Sequence, residues 1–383
     1  MARLGDVCSF FSGTGFPNAY QGQKTGKYPF YKVGDISKNV LLGNRELISS
    51  DNYIDDDTVQ AIKGTVLPPK TVVFAKIGEA LRLNRRAITN CYCLVDNNAM
   101  GILADNTVLD ELYFYYFMCS VDLQHYCEST TVPSVRKTRI AEIEIPLPSL
   151  EEQRRIATVL DKVSDLITKR RAQLDKLDLL VKAWFVEMFG DPSVNTRWST
   201  MKLYQLGELN RGVSKHRPRN DPRLLGGTYP LIQTGDVSNS GLYILSFSST
   251  YSKLGLEQSR LWKSGTLCIT IAANIAQTSI LTFDACFPDS VVGFVPNDNT
   301  NSVFIHYWFS FFQKILEEQA PQVAQKNINL KILSDLDVIV PPYTLQEDFS
   351  AFVGQVEKSK LTIQQSLDKL EMLKKALMQQ YFG

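Results

Sequence analysis

Residues 143–156 read Ile143-Glu144-Ile145-Pro146-Leu147-Pro148-Ser149-Leu150-Glu151-Glu152-Gln153-Arg154-Arg155-Ile156. The alternation at Ile143, Glu144 and Ile145 is the last strand of a globular unit. The prolines end it, because a residue before proline is pushed away from helical geometry but tolerates extension. The acidic pair Glu151-Glu152 suits the positive end of a helix dipole. From Ile156 an apolar residue then returns at alternating intervals of four and three, at Leu160, Val163, Ile167, Leu174, Leu177 and Val181, and on to Trp184 and Met188. Arg170 is the one charged residue on that line. Such spacing is the a/d seam of a coiled coil.

The same passage is written a second time. Pro341-Pro342-Tyr343-Thr344-Leu345 answers Pro146-Leu147-Pro148-Ser149-Leu150, and a second seam follows through Phe349, Val353, Val356, Ile363, Leu367, Leu370 and Leu377 to Tyr381. Lys360 and Lys374 are its charged positions. A long stem at such a position can reach past the seam to solvent, or one polar residue can fix the register. Val135, Ile140, Ile143 and Ile145 match Ile328, Leu333, Leu336 and Val338 at a constant offset of 193 residues. Leu174-Asp175-Lys176-Leu177 recurs as Leu367-Asp368-Lys369-Leu370, and Phe189-Gly190 as Phe382-Gly383. Far upstream, Tyr28-Pro29 leading to Gly34-Asp35-Ile36-Ser37 is echoed by Tyr229-Pro230 and Gly235-Asp236-Val237-Ser238.

A repeat on this scale sets the architecture. The expected parts are a globular unit at 1–149, a helix at 150–190, a second unit at 191–342 and a second helix at 343–383. Short β-like runs such as Thr71-Val72-Val73-Phe74 make each unit a mixture of strands and helices. The class is α+β (mixed α/β). If the two seams pair within one chain, connectivity makes the long helices antiparallel and the whole pseudo-two-fold. Forty residues of helix extend about 60 Å. A rod of that length separates two recognition surfaces by more than the roughly 34 Å of one DNA turn.

The chain has 383 residues, enough for several cores, and a net charge of +1, which by itself does not point to nucleic acid. The N-terminal MARLGDVCSF lacks a signal-peptide pattern and no apolar run is long enough to span a membrane, so a cytoplasmic setting is expected. Seven cysteines contain no CxxC pair; Cys91 and Cys93, at strand spacing, are expected on one buried face. Three histidines are too few for a zinc site or a Ser/His/Asp triad. There is no GxxxxGK[ST] phosphate loop. Asp51, Asp55, Asp56 and Asp57 lack the glycine and terminal glutamate of a calcium loop. Phe11-Ser12-Gly13-Thr14-Gly15 has the form of a methyltransferase cofactor loop, and Pro341-Pro342-Tyr343 is most of an adenine pocket, but Val340 stands where that pocket needs asparagine.

This organisation resembles the specificity subunits of type I restriction–modification systems over essentially the whole chain. Leu4-Gly5-Asp6-Val7-Cys8 ahead of Ser12-Gly13-Thr14, the turn Ala75-Lys76-Ile77-Gly78, the junction at 143–156, and Trp184-Phe185-Val186-Glu187-Met188-Phe189-Gly190-Asp191-Pro192 carry the likeness. The second copy departs from it at Thr344-Leu345-Gln346-Glu347-Asp348 and at Thr270-Ile271-Ala272-Ala273. The resemblance implies that each globular unit is a target recognition domain reading one half of a bipartite double-stranded DNA site. It implies that the helices set the spacing and dock two methyltransferase subunits. It further implies restriction and motor subunits, with S-adenosylmethionine, ATP and magnesium used by those partners and no cofactor in this chain. The alternatives are a self-contained S-adenosylmethionine-dependent DNA methyltransferase, a specificity module of another modification or defence complex, and a structural protein whose seams pair between chains.

DNA contacts favour Arg, Lys, Asn and Gln. In the first unit the candidates are Lys76, Arg82, Arg85 and Arg86 after the glycine turn, with Arg136, Lys137 and Arg139 before the exit strand. In the second, Arg211, Lys215, His216, Arg217, Arg219 and Arg223 form the densest basic run. Asn274 and Gln277, then Gln322, Gln325, Lys326 and Asn327, add polar readers. Most contacts are expected at phosphates.

Overall fold

In the computed structural model, residues 1–128, 132–194, 196–216, 218–272, 275–312, 315 and 328–383 are described. The chain divides into one unit of Met1–Gln173 with Ile363–Gly383 and another of Leu174–Thr362, so each unit takes part of both long helices.

In the first unit a five-stranded sheet runs in the order Cys8–Ser12, Ala99–Ala104, Val72–Ala75, Arg86–Thr89, Glu46–Leu47. Neighbours are antiparallel except the last pair, which is parallel. One face packs Val72, Phe74 and Ile102 against Tyr113, Phe114 and Met118 of the helix Glu111–Ser120 and against Ile156 and Leu160. The other face packs Val73 and Ala87 against Tyr31 and Ile36. A three-stranded sheet, ordered Tyr53–Ile54, Tyr28–Tyr31, Leu94–Val95, adjoins it. The strand Ala2–Arg3 pairs with Glu144–Ile145, tying the start of the chain to the exit strand.

The second unit repeats the topology of the five-stranded sheet, while its smaller sheet has four strands instead of three, with Leu261–Trp262 added. Its five-stranded order is Gly207–Arg211, Val291–Pro296, Leu267–Thr270, Thr278–Leu281, Tyr243–Ile244, again with only the outer pair parallel. Thr200–Lys202 pairs with Asp337–Ile339 as Ala2–Arg3 pairs with Glu144–Ile145. All eight residues matched at the 193 offset, from Val135 to Val338, are buried.

The long helices are α1, Leu150–Phe189, and α2, Tyr343–Phe382, of 40 residues each. Within each unit they are antiparallel. In the first unit Asp161 of α1 lies near Lys374 of α2, while Arg171, later on α1, bonds Glu371, earlier on α2, at 2.6 Å. In the second, Asp178 meets Lys360 at 2.8 Å, the tilted rings of Trp184 and Phe352 meet at 5.6 Å, and Phe189 meets Phe349.

Four expectations need correction. The seam is not the most buried line at the end of α1: Trp184 still meets Phe352 but is 42% exposed and Met188 is partly buried, whereas Phe185 and Phe189 are fully buried among Phe304, Phe311 and Phe349. A straight helix drifts against a strict 3.5 repeat, and here the last turns of α1 pack on a globular core as well as on the other helix. The charged seam positions do not simply snorkel. Lys360 bonds both Asp178 and Glu357, and the Lys374 amine lies over the Tyr116 ring with its pKa lowered by burial. Cys91 is exposed while Cys93 is buried, because residues 90–92 form a bend and the strand alternation starts only afterwards. Finally, the proline exits align at Pro148 and Pro341, which puts Gln153 and Gln346 in register, so the second copy keeps the glutamine even though its neighbours differ.

Candidate nucleic-acid interface

In the first unit the central strand Val72–Ala75 runs into Lys76, Ile77 and Gly78. Gly78 has φ +77°, a left-handed conformation that glycine adopts without a Cβ penalty. This turn is zipped to residues 133–135. Gly78 N donates to Pro133 O at 2.8 Å, Ile77 bridges Ser134, and Val135 N donates to Lys76 O at 3.0 Å. Two basic clusters some sixty residues apart in sequence therefore emerge from adjoining backbones. Lys137 also lies 5.5 Å from the Phe10 ring in the first strand.

Most of these side chains are exposed and loosely paired. Arg82 meets Glu79, Arg136 meets Glu128 at 2.6 Å, and Arg139 meets Glu142 at 3.2 Å. Exposed pairs of this kind are worth little, so a phosphate can compete for the guanidinium. Lys76 and Arg85 have no carboxylate partner among the described residues.

Arg86 is not part of this surface and is withdrawn as a candidate. It opens the strand Arg86–Thr89, is 2% exposed, and lays its guanidinium over the Phe74 ring at 4.9 Å. It donates to Asn84 Oδ1 at 2.6 Å and to Arg85 O at 3.1 Å, and burial lowers its pKa to about 10. Both faces of this strand are covered, so all four of its residues are buried, whereas Arg85 lies just before it and stays partly exposed.

In the second unit Arg211 ends the first strand and is exposed. The loop after it is anchored on three sides. Gly212 N donates to Val291 O, Ser259 Oγ donates to Val213 O, and His216 N donates to Gln258 Oε1. A Cβ on Gly212 would meet Phe287 O at 2.2 Å, so only glycine fits. Lys215 is exposed. Asp221 accepts from Arg223 Nη2 at 2.7 Å and lies 3.1 Å from His216 Nε2, and these bonds, Arg223 first, hold its carboxyl well below the usual range. Arg219 pairs with Asp289. Gln277 is exposed, with its backbone fixed to Thr270 by bonds in both directions, and Ala276 before it has φ +59°. Arg217, Asn274, Gln322, Gln325, Lys326 and Asn327 lie outside the described residues.

Sequence reading passed over Arg260. It stacks on Trp262 at 3.9 Å and bonds Glu208 at 3.0 Å, next to the Gln258 anchor of the basic loop. Arg260 lies just before the strand Leu261–Trp262, and the two-residue spacing to Trp262 was the available signal.

The two methyltransferase-like fragments have structural explanations. A Cβ on Gly13 would sit 1.8 Å from Asp96 O, so the glycine permits a close backbone crossing. Pro341 ends a strand, and its carbonyl accepts from Gln346. The sheets holding these fragments are mainly antiparallel, unlike the parallel sheet of a dinucleotide-type cofactor fold. Among the described residues no group of three or more His, Cys, Asp or Glu could hold a metal ion, and no helix is long and apolar enough to cross a membrane.

A family model described as "Type I restriction modification DNA specificity domain" matches residues 1–176 and again 195–372. A putative type I restriction enzyme MjaX specificity subunit from Methanocaldococcus jannaschii is 21% identical over 369 residues, covering 92% of this chain and 85% of that protein. The MjaIX specificity subunit of the same organism is 22% identical over 308 residues, 73% of this chain and 69% of that one. Among solved structures, the S subunit of a type I restriction–modification system from M. genitalium superposes with a TM-score of 0.58 at 14% identity, covering 100% of this chain and 95% of the other. A chain from a study of assembly and conformational transition of a type I system gives 0.58 at 18% identity, covering 100% and 96%. At these identities the two structures speak to the fold alone.

Proposed function

The chain belongs to the type I restriction–modification DNA specificity family, and from that premise we propose that it reads a two-part DNA site for methylation and restriction subunits that do the chemistry. The observation that carries this is the repeat: one five-stranded topology occurs twice, and each copy carries basic residues on loops and short helices beside that sheet. Two similar readers of different loop sequence suit two unlike half-sites. In the first unit Lys76, Arg82, Arg85, Arg136, Lys137 and Arg139 hold phosphates or read base edges. In the second, Arg211, Lys215, Arg217, Arg219, Arg223, Asn274, Gln277, Gln325, Lys326 and Asn327 do so. Long side chains in weak exposed ion pairs can be redirected to phosphate at little cost.

The long helices set the gap between half-sites and dock two methyltransferase subunits, to which restriction and motor subunits add. S-adenosylmethionine, ATP and magnesium belong to those partners, and the assembly works in the prokaryotic cytoplasm. The parts of the function assigned here to this chain are recognition and assembly.

Mapping methylated adenines across the host genome, with and without this chain, tests the reading. One split motif that disappears with the chain is expected. Exchanging residues 199–342 for the matching unit of a relative should then change one half of the motif only. Methylation that persists without the chain, or a swap that alters both halves, overturns the proposal.

A further inference from the structure

Gln153 in α1 and Gln346 in α2 stand at the same offset of 193, and both are fully buried. Each ties three segments together. Gln153 Nε2 donates to Val108 O at 3.0 Å and to Pro148 O at 2.9 Å, while its Oε1 accepts from Asp110 N at 2.8 Å. Gln346 Nε2 donates to Asn299 O and Pro341 O, both at 3.0 Å, and its Oε1 accepts from the Thr300 hydroxyl at 2.9 Å. In both units the amide therefore links the proline exit, the loop that caps the globular helix, and the first turn of the long helix. Asp110 and Asn301 are the N-caps of those globular helices.

The flanks differ between the copies. Ser149-Leu150-Glu151-Glu152 becomes Pro342-Tyr343-Thr344-Leu345, and Arg154-Arg155 becomes Glu347-Asp348. Glutamine is retained because the site needs two donors and one acceptor at the end of a long side chain. Glutamate has no donors to offer. Leucine would leave two buried carbonyls and a donor without partners, which is costly in a dry site.

We infer that Gln153 and Gln346 are positioning residues that fix the direction in which each long helix joins its recognition unit, and thereby the gap between the two half-sites. This rests on the two-reader function proposed above. Neither side chain needs to touch DNA, since both are fully buried in the chain.

The test uses the full-length chain assembled with its methyltransferase subunits and a randomised DNA library. The variants are Gln153→Leu, Gln346→Leu and Thr300→Val. The last keeps side-chain shape and removes only the hydroxyl that reaches Gln346, so it reports even if the leucine variants fold poorly. In every variant that folds, both halves of the motif should keep their base preferences while the single wild-type gap spreads over two or more lengths. A single unchanged gap in folded Thr300→Val, or in either leucine variant that folds, overturns the inference. So does loss of base preference in one half, which would make the glutamine a determinant of reading. A wild-type chain that selects no two-part motif fails differently: it removes the function on which the inference rests, and the inference with it.

Discussion

Arg85 is partly exposed, while Arg86, one position on, is buried with its guanidinium over Phe74. Composition treats the two as one basic cluster; the start of a strand covered on both faces separates them into a partly exposed cation and a core group. Their substitutions should therefore behave differently. Arg86→Ala should lower unfolding free energy by about 2 kcal/mol, from lost packing and hydrogen bonds, and leave the methylated motif unchanged. Lys76→Ala combined with Arg85→Ala should change stability by no more than about 0.5 kcal/mol per site. It should also reduce the slope of log affinity against log salt by roughly 1 for each phosphate contact removed. Chemical denaturation and DNA titrations at several salt concentrations read both, and an unchanged slope would remove Lys76 and Arg85 from the phosphate contacts. At this scale the sequence showed the basic clusters but neither the short helices that carry Arg82, Lys137, Arg139 and Arg223 nor the facing of each side chain. Facing depends on where a strand begins, as the bend before Cys93 also illustrates.

The long helices were legible from periodicity because a seam needs only the next apolar residue on the same face, which is local information. What periodicity missed was the second, more deeply buried line of Phe185 and Phe189 at the end of α1. Phe185 is fully buried against four other aromatic rings, whereas Trp184 is 42% exposed. Phe185→Ala should cost about 3–5 kcal/mol in denaturant unfolding, and Trp184→Ala about 1 kcal/mol or less. Equal costs would mean that the seam contact of Trp184 with Phe352 carries as much as the buried Phe185. The corresponding end of α2 behaves alike: Phe382 packs on Tyr113 and Phe117 of the first unit at ring distances of 5.1 and 5.8 Å. In both helices the last turns answer to a globular core, and a core assembled from distant strands cannot be read from a heptad pattern.

For the whole molecule, the ruler role makes a length prediction. One heptad inserted into each long helix preserves the seam and adds about 10 Å. The gap in the methylated motif should then widen by about three base pairs, at roughly 3.4 Å per pair. A gap of unchanged length in genome-wide methylation data would reject the ruler. The sequence by itself determined the repeat, the two long helices and the mixed α/β character of the units. Each of these is written in local spacing or in direct self-similarity. Only the tertiary structure decided that residues 76–78 and 133–135 share one surface, that Arg86 is core, and that Gly13 serves a backbone crossing. It also decided that Gln153 and Gln346 are equivalent clamps. Those facts depend on strand pairing and close approach between residues far apart in the chain, and a single sequence does not encode them in any local pattern.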